Sequence, residues 1–546
     1  MADDLFDHEA DVLVVGSGGA AFSAAVTAAA EGASVIMFER NEHIGGTTGA
    51  SGGTAWIPNN SSLRSYGVED GREDAIRYMC RMSFPQHYSA GAPMFGVPRK
   101  AYELIETHYD TGSQALDYLT AAGVLDLTAE DPRADEPIVL PFSGNIVKGF
   151  PDYGANLAED KVPRGRHIGP TPGTPSMVEQ FEADARKLGV DLGLEHQAHA
   201  LLRNDDGAVV GLELRYRHLT VIARARKAVV FASGGFAHDP ERVKRHLPGR
   251  VFGSCATLGA EGDFIEIAGA AGAAIAGLNG AWWKQVVVEA ALWSASPPGV
   301  WLPWGDAMFQ VNKYGHRVVN EKMPYHDRGQ VHSVYDPTRR EFPNSVLFMI
   351  YDDTVARSDS MEGMRRPLPM PDEETEYVIT GETWSDLAAR IDAKLAELGD
   401  HVGGVRLDAD FETNLAETVR RFDGFAREGK DLDFGRGDAP LDRAWSGPNR
   451  EGSANPTLAP FAGEGPYHCI IVGAGILDTN GGPVINTAAQ VVDVHDQPIP
   501  GLYGAGNCVA TPAGQGYWGP GATIGLGLTF GHIAGRGAAA EADKDF

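Results

Sequence analysis

Between residues 11 and 39 the chain reads as strand, glycine turn, helix, strand, and no other segment restricts its fold as strongly. Residues 12–15 are an apolar, β-rich run. Residues 20–30 are Ala-rich and have no strand character. Residues 35–38 form a second apolar run that Glu39 closes. A βαβ unit of this kind opens a doubly wound α/β sheet. The turn Gly16-Ser17-Gly18-Gly19-Ala20-Ala21 has the spacing GxGxx[G/A]. Gly16 permits the tight turn, Gly18 lets backbone N–H groups reach a pyrophosphate, and Ala21 keeps the helix close to the strand. Gly19 and Ala20 complete the cradle at the helix N-terminus, which faces the phosphate charge. A carboxylate at Glu39 can take two hydrogen bonds from a ribose, which favours free ribose hydroxyls over a 2′-phosphate. The spacing alone occurs in many glycine-rich turns; the strand–turn–helix–strand–acid context makes it a dinucleotide site.

Directly behind the acid, from Arg40 onward, comes a second cluster of glycines and hydroxyls: Gly46, Thr47, Thr48, Ser51, Gly52 and Gly53. NAD needs no such cluster, whereas the longer FAD must be lined past its pyrophosphate toward the flavin. A third segment, residues 228–236, is an apolar strand ending in Ser233 and Gly234, which suits close packing near the cofactor. No second βαβ fingerprint follows, so a built-in NAD(P)H domain is not expected.

At 546 residues the chain exceeds the usual size of one hydrophobic core. Its character changes near Leu278, where Trp282, Trp283, Trp293, Trp301 and Trp304 crowd among prolines. A Gly- and Pro-rich stretch at residues 435–456 suggests where that unit ends. The expected architecture is α/β: a discontinuous Rossmann-like FAD-binding domain (1–278 and 451–546) with an inserted α+β substrate domain (279–450). Helices are expected at 69–82, 97–122 and 176–188, with a long loop from 132 to 175 and strands between 199 and 230.

Charge and cysteine usage narrow the partners. A formal net charge of −28 argues against nucleic acid and anionic membrane surfaces. The four cysteines form no CxxC pair, which disfavours a disulfide scaffold, a zinc ribbon, an iron–sulfur centre or a c-type haem, so no metal site is expected. The acidic N-terminus lacks the basic and apolar stretches of a signal peptide, and no run of 18 apolar residues predicts a transmembrane segment. A reducing cytoplasm is the expected location.

The glycine turn, the cluster at 39–53 and the strand at 228–236 resemble the fumarate reductase/succinate dehydrogenase flavoprotein family. They resemble its 3-ketosteroid dehydrogenase branch in particular. Residues 311–321 (Val-Asn-Lys-Tyr-Gly-His-Arg-Val-Val-Asn-Glu), 418–422 with 433–437, and 501–507 (Gly-Leu-Tyr-Gly-Ala-Gly-Asn) extend the resemblance nearly end to end, in the family's order. The resemblance implies that residues 504–507, including Gly504, Gly506 and Asn507, close over the flavin. The histidine that holds flavin covalently in the family is absent; Thr47 and Thr48 occupy that region, so non-covalent FAD is expected.

Residues 516–525 (Gly-Tyr-Trp-Gly-Pro-Gly-Ala-Thr-Ile-Gly) carry no cation to balance a dicarboxylate. They resemble the Tyr-x-Gly-x-Gly-Ala-Thr-x-Gly segment of 3-ketosteroid Δ1-dehydrogenases, which puts Ala522, Thr523 and Ile524 beside the cofactor. That resemblance implies that the Tyr517 hydroxyl and the Gly521 N–H bind a ketone oxygen, as an oxyanion hole would. It implies that Tyr325, in Met323-Pro324-Tyr325-His326-Asp327, abstracts the α proton while the β hydrogen leaves as hydride to the flavin. Tyr153, in Phe150-Pro151-Asp152-Tyr153, is the candidate proton relay. A tyrosine titrates near ~10, so a partner or local field must help the base ionise.

The expected reaction is desaturation of a small apolar ketone, first a 3-ketosteroid at Δ1, with electrons passed to an external acceptor, a quinone or a diffusible carrier. Trp518 and the insertion between Phe84 and Pro98 depart from the family, and Trp518 is expected to shorten the pocket. They keep open a smaller cyclic ketone such as a substituted cyclohexanone, then Δ4-dehydrogenation or an enoate reductase. A flavin-less binding protein on the same fold is the non-enzymatic alternative. The Trp cluster fits either a pocket wall or core, and His316 and His326 read as ordinary polar residues. Asp431 and Asp433 read as turn caps.

Overall fold

The computed structural model describes residues 6–128, 165–358, 365–371, 373–444, 450 and 453–546. The glycine-turn unit forms as the sequence predicts: strand His8–Val15, helix Gly19–Ala30, strand Val35–Phe38. His8–Val15 is central, paired in parallel with Val35–Phe38 on one side and Leu219–Phe231 on the other. Pro498–Gly504 and Asp191–Gly193 extend this parallel core on its two sides. All four residues of Val35–Phe38 are buried, as befits a parallel strand covered on both faces. The hairpin His196–Arg203/Val209–Tyr216 and the strand Gln490–Val492 add antiparallel pairings, so the eight-stranded sheet is mixed.

Two helices cross this sheet side by side, Gly19–Ala30 and the C-terminal Ala522–Ala540. Small residues let their backbones touch: a Cβ on Gly531 would lie 2.4 Å from the Ala20 carbonyl, and one on Gly535 2.3 Å from that of Ala24. Because Ala20 faces Gly531 while the second helix begins at Ala522, the two N-termini are offset by roughly 12 Å along the axes. Two positive helix ends therefore point into one cleft at different depths.

The second sheet is built on the long strand Tyr467–Thr479, flanked antiparallel by Ala281–Val287 and Val346–Asp352. Met308–Val311 lies beyond, and Gly253–Ser254 pairs in parallel with Gly475 and Ile476. Helices Trp384–Leu398 and Phe411–Glu428 pack on it through Leu387, Ile391 and Phe422 against Phe309 and Phe348. This unit is α+β. Its central strand comes from the C-terminal part of the chain, and one short edge strand precedes residue 279.

The helices expected at 69–82, 97–122 and 176–188 appear as Arg72–Ser83, Arg99–Ala121 and Met177–Lys187. The last starts at a capping box in which Ser176 and Glu179 satisfy each other's backbone N–H. Among the described residues no helix is long and apolar enough to cross a membrane.

Candidate active site

A cavity of about 540 Å³ lies between the two sheets. At one end stands Glu39, with Phe38, His196, Gln197 and Ala198 around it. Its Oε1 accepts the Asn41 amide (2.9 Å) and its Oε2 the Ser17 hydroxyl (2.6 Å). Each oxygen retains a lone pair for a ribose hydroxyl. Ser17 also accepts the Gly45 amide (3.0 Å), which ties the glycine turn to the second glycine cluster. Arg40 lines this end too, but its guanidinium is spent on the Gly259 carbonyl and Glu261.

Gly16, Gly18, Gly19 and Ala20 line the middle of the cavity. Ala21 does not: it is fully buried beneath the helix, where a small side chain permits the close packing read from the sequence. The Gly19 amide donates to the Thr48 hydroxyl (3.0 Å), so Thr48 sits across the helix N-terminus. Gly46, Thr47, Ser51 and Gly52 line the same stretch, Gly53 lies outside it, and the Thr47 hydroxyl accepts the Thr257 amide (3.2 Å). Ser233, Gly234, Gly506, Asn507, Thr523 and Ile524 line the cavity farther on, whereas Gly504 and Ala522 stand in the wall behind it. A ribose-binding acid, a glycine cradle under one helix N-terminus and a second helix N-terminus deeper in the same cavity fit an adenine dinucleotide with a long second half, as in FAD.

The far end is aromatic. Tyr325, Tyr517, Trp282 and Trp301 line it with Leu302, Leu477 and Pro520. The Gly521 amide donates to the Tyr517 hydroxyl at 3.1 Å. Gly521 takes φ +91°, and a Cβ there would lie 2.4 Å from the Thr54 carbonyl, so no other residue makes this turn unstrained. The Trp56 amide, bonded to the Gly521 carbonyl (3.0 Å), and the His167 imidazole, bonded to the Pro520 carbonyl (2.8 Å), pin the turn. Burial pushes the Tyr517 phenol above its ordinary pKa, outweighing the pull of Tyr325, the Gly521 amide and Thr523. Tyr517 therefore keeps its proton and acts as a donor.

Tyr325 begins the short helix Tyr325–Gly329, with its ring 5.7 Å from that of Tyr517 and edge-to-face with Trp301 at 5.0 Å. Arg328, fully buried, holds that helix in place. Its guanidinium donates to Gln285 Oε1 and to the carbonyls of Val300, Trp301, Glu321 and Met323. The preceding Asn-Glu motif is anchored in turn. Burial pushes the Glu321 carboxyl up, yet Arg317 and Arg436 beside it bring it down to about 2. Asp431 caps the turn at residues 433–436 and also pairs with Arg317, a role beyond the one expected. Asp433 pairs with Arg421. Tyr153 lies outside the described residues.

The Trp cluster divides between the two expected roles. Trp282 and Trp301 face the cavity, Trp283 joins a small separate core, Trp304 donates to Ser358, and Trp293 is exposed. Trp518 does not shorten the pocket. It points away from the cavity into the first domain's core, donates its indole N–H to Ser83 (2.8 Å) and packs on Trp56. The 84–98 insertion packs Tyr88 on Phe95, and the carbonyl of Ser83 just before it accepts the Gln515 amide (2.9 Å), bracing the segment that carries Tyr517. Sequence reading missed Ser17, Gln197, Cys255 and Asp478. Ser17 is a variable position inside the glycine fingerprint, while Gln197, Cys255 and Asp478 lie in no motif and only the fold brings them to the cavity.

Fold and cavity together define a dinucleotide-binding flavoprotein. The family described as "FAD binding domain" matches residues 11–524. A 3-oxosteroid 1-dehydrogenase of Mycolicibacterium smegmatis is 31% identical over 605 residues, covering 98% of each chain. A 4-oxocyclohexanecarboxylate 2-dehydrogenase of Sinomonas cyclohexanicum is 30% identical over 574 residues, covering 97% of this chain and 93% of the relative. In fold, the chain matches the crystal structure of a 3-ketosteroid Δ1-dehydrogenase from Sterolibacterium denitrificans, with a TM-score of 0.80 at 24% identity over 98% and 100% of the two chains. The chain belongs to the FAD-binding family that contains these dehydrogenases.

Proposed function

We propose that the protein is an FAD-dependent dehydrogenase that introduces a carbon–carbon double bond next to a ring ketone, first of all at the 1,2 position of a 3-ketosteroid. The observation that carries this reading is the 3.1 Å contact between Tyr517 and the Gly521 amide, beside Tyr325, at the aromatic end of the cavity. With substrate bound, the ketone oxygen would replace the phenol oxygen as acceptor of the Gly521 N–H while the Tyr517 hydroxyl donates to the same atom, and both donors stabilise it most when it bears enolate charge. The α C–H is thereby acidified, and Tyr325, on the helix held by Arg328, takes the proton. Tyr153 is the proposed relay for that proton. FAD, held non-covalently, supplies the acceptor for the hydride equivalent that leaves the β carbon.

The walls favour an uncharged ring. Among the described residues, no lysine or arginine lines the aromatic end, so a dicarboxylate would lose its hydration without compensation. A second reading, a ketone of cyclohexanone size, is favoured by the likeness to the 4-oxocyclohexanecarboxylate 2-dehydrogenase, which nearly equals the steroid relative in identity. Among the described residues no His, Cys, Asp and Glu cluster suits a metal, and an external quinone or diffusible carrier is the proposed electron acceptor. The four cysteines are free, which fits a reducing cytoplasm.

Anaerobic mixing with a four-ring 3-ketosteroid and with a substituted cyclohexanone tests both readings. Bleaching of the flavin by the steroid, with the 1,2-unsaturated product, is the expected result. Bleaching by the cyclohexanone alone selects the second reading. A flavin that neither ketone reduces would end the ketone-desaturase reading.

A further inference from the structure

Tyr517 can act as an oxyanion donor only if its ring is held, and the hydrogen bonds behind it run to a buried acid with no part in the chemistry above. Asp478, at the end of strand Tyr467–Thr479, is 1% exposed. Its Oδ2 accepts the Gly235 amide (2.9 Å) and Asn507 Nδ2 (3.0 Å), and its Oδ1 accepts the Thr479 amide (2.8 Å). A carboxylate offers only acceptors, so Asn507 must turn its NH₂ toward Asp478 and its oxygen away. That oxygen accepts the indole N–H of Trp282 at 2.9 Å. The Trp282 ring lies 5.4 Å from Tyr517, and His326 lies 5.5 Å from Tyr517. His326 is itself fixed: Nδ1 accepts the Trp283 amide (3.1 Å) and Nε2–H donates to the Gln515 carbonyl (2.8 Å). A small void of about 20 Å³ adjoins Trp282 and Asn507.

We propose that Asp478 orients the Asn507 amide, which holds the Trp282 indole, and that this relay sets the position of Tyr517. Asp478, Asn507 and Trp282 are thus positioning residues for the oxyanion hole. Asp478 and Trp282 lie on neighbouring strands of the second sheet and Asn507 in the turn after Pro498–Gly504 of the first, so the relay ties the two sheets together beside Tyr517. The inference rests on the ketone-desaturase reading.

Trp282→Phe keeps a ring but removes the N–H, and Asp478→Asn puts an NH₂ where acceptors are required. In holoenzyme normalised to bound flavin, each is expected to lower kcat about tenfold or more with KM little changed. The double variant is expected to be no worse than the poorer single one, because both break the same chain. Substituted phenols, which resemble the enolate, supply a second readout. In the wild type their affinity rises with phenol acidity and a long-wavelength flavin–phenolate band develops. In both variants that dependence flattens. The relay is overturned if the two kcat effects multiply. It also falls if the variants lower only flavin content and melting temperature while kcat per flavin and the phenol dependence stay at wild-type values. Tyr517→Phe is the control: if it leaves kcat and the phenol dependence unchanged, the oxyanion-hole reading fails, and the relay with it.

Discussion

The backbone amide of Gly521 donates to the hydroxyl of Tyr517, four residues earlier, across 3.1 Å. This one bond joins the mouth of the C-terminal helix to the aromatic wall. It sets the amide of a glycine with left-handed backbone directly beside the phenol oxygen. Gly521→Ala keeps the backbone N–H but puts a Cβ 2.4 Å from the Thr54 carbonyl at φ +91°, so the turn must shift and move the amide. As a result, kcat/KM is expected to fall by up to roughly 10²–10³-fold, the effect of losing one oxyanion donor. Steady-state kinetics on flavin-loaded enzyme checks it; a loss below tenfold would mean that the position of this turn does not limit the reaction.

Tyr325→Phe removes the base and leaves the ring against Trp301. A fall in kcat of about 10²–10⁴-fold is expected, with flavin content unchanged. Exchange of the ketone's α hydrogen with heavy water, followed by NMR, is expected to disappear as well. Persistent exchange would assign the proton to another group.

Because Trp518 faces the core, it plays no part in sizing the pocket. Trp518→Phe is expected to lose about 1–3 kcal/mol of stability through the broken bond to Ser83 and the lost volume. The range of ketones that bleach the flavin is expected to stay the same. A gain of larger substrates would contradict the orientation described above.

Arg166 grips Asp70 through two hydrogen bonds, both side chains fully buried, with Trp56 and Tyr78 beneath the guanidinium. Asp70→Ala leaves that charge without its counter-ion. About 3–5 kcal/mol is the expected cost in urea unfolding, far above the ~0–1 kcal/mol of a surface pair.

Acid is expected to weaken the protein through its buried histidines. Burial lowers the His326 imidazole to about 4, so the native ring stays neutral while an unfolded one protonates near ~6.5. The unfolded state therefore binds more protons between those values. The contribution is fully present above ~6.5 and is lost as pH falls toward 4, amounting to about 3 kcal/mol. His332, held near 4 by the same cause, acts in the same direction. Melting temperature recorded across this range checks the sign; a flat profile would show that neither ring is neutral because of burial.

The sequence by itself determined what depends on neighbours along the chain. The glycine turn, the small residues behind it and Glu39 are legible because short-range sterics and spacing dictate them, whereas the segment 517–524 is legible through its resemblance to the Tyr-x-Gly-x-Gly-Ala-Thr-x-Gly pattern. Helix positions came within a few residues, since apolar periodicity and the Ser176 cap are local signals. Only the tertiary structure decided which distant segments meet. Strand Tyr467–Thr479 could not be assigned from composition, because a buried strand looks alike in either sheet and only pairing distinguishes them. Trp282 and Trp518 have the same side chain, yet one faces the cavity and the other the core. That choice rests on backbone direction and on whether Asn507 or Ser83 offers the indole a partner. Asp478 sits in no motif at all. Its role exists only because folding encloses it with Asn507 and leaves a buried carboxylate that must be satisfied.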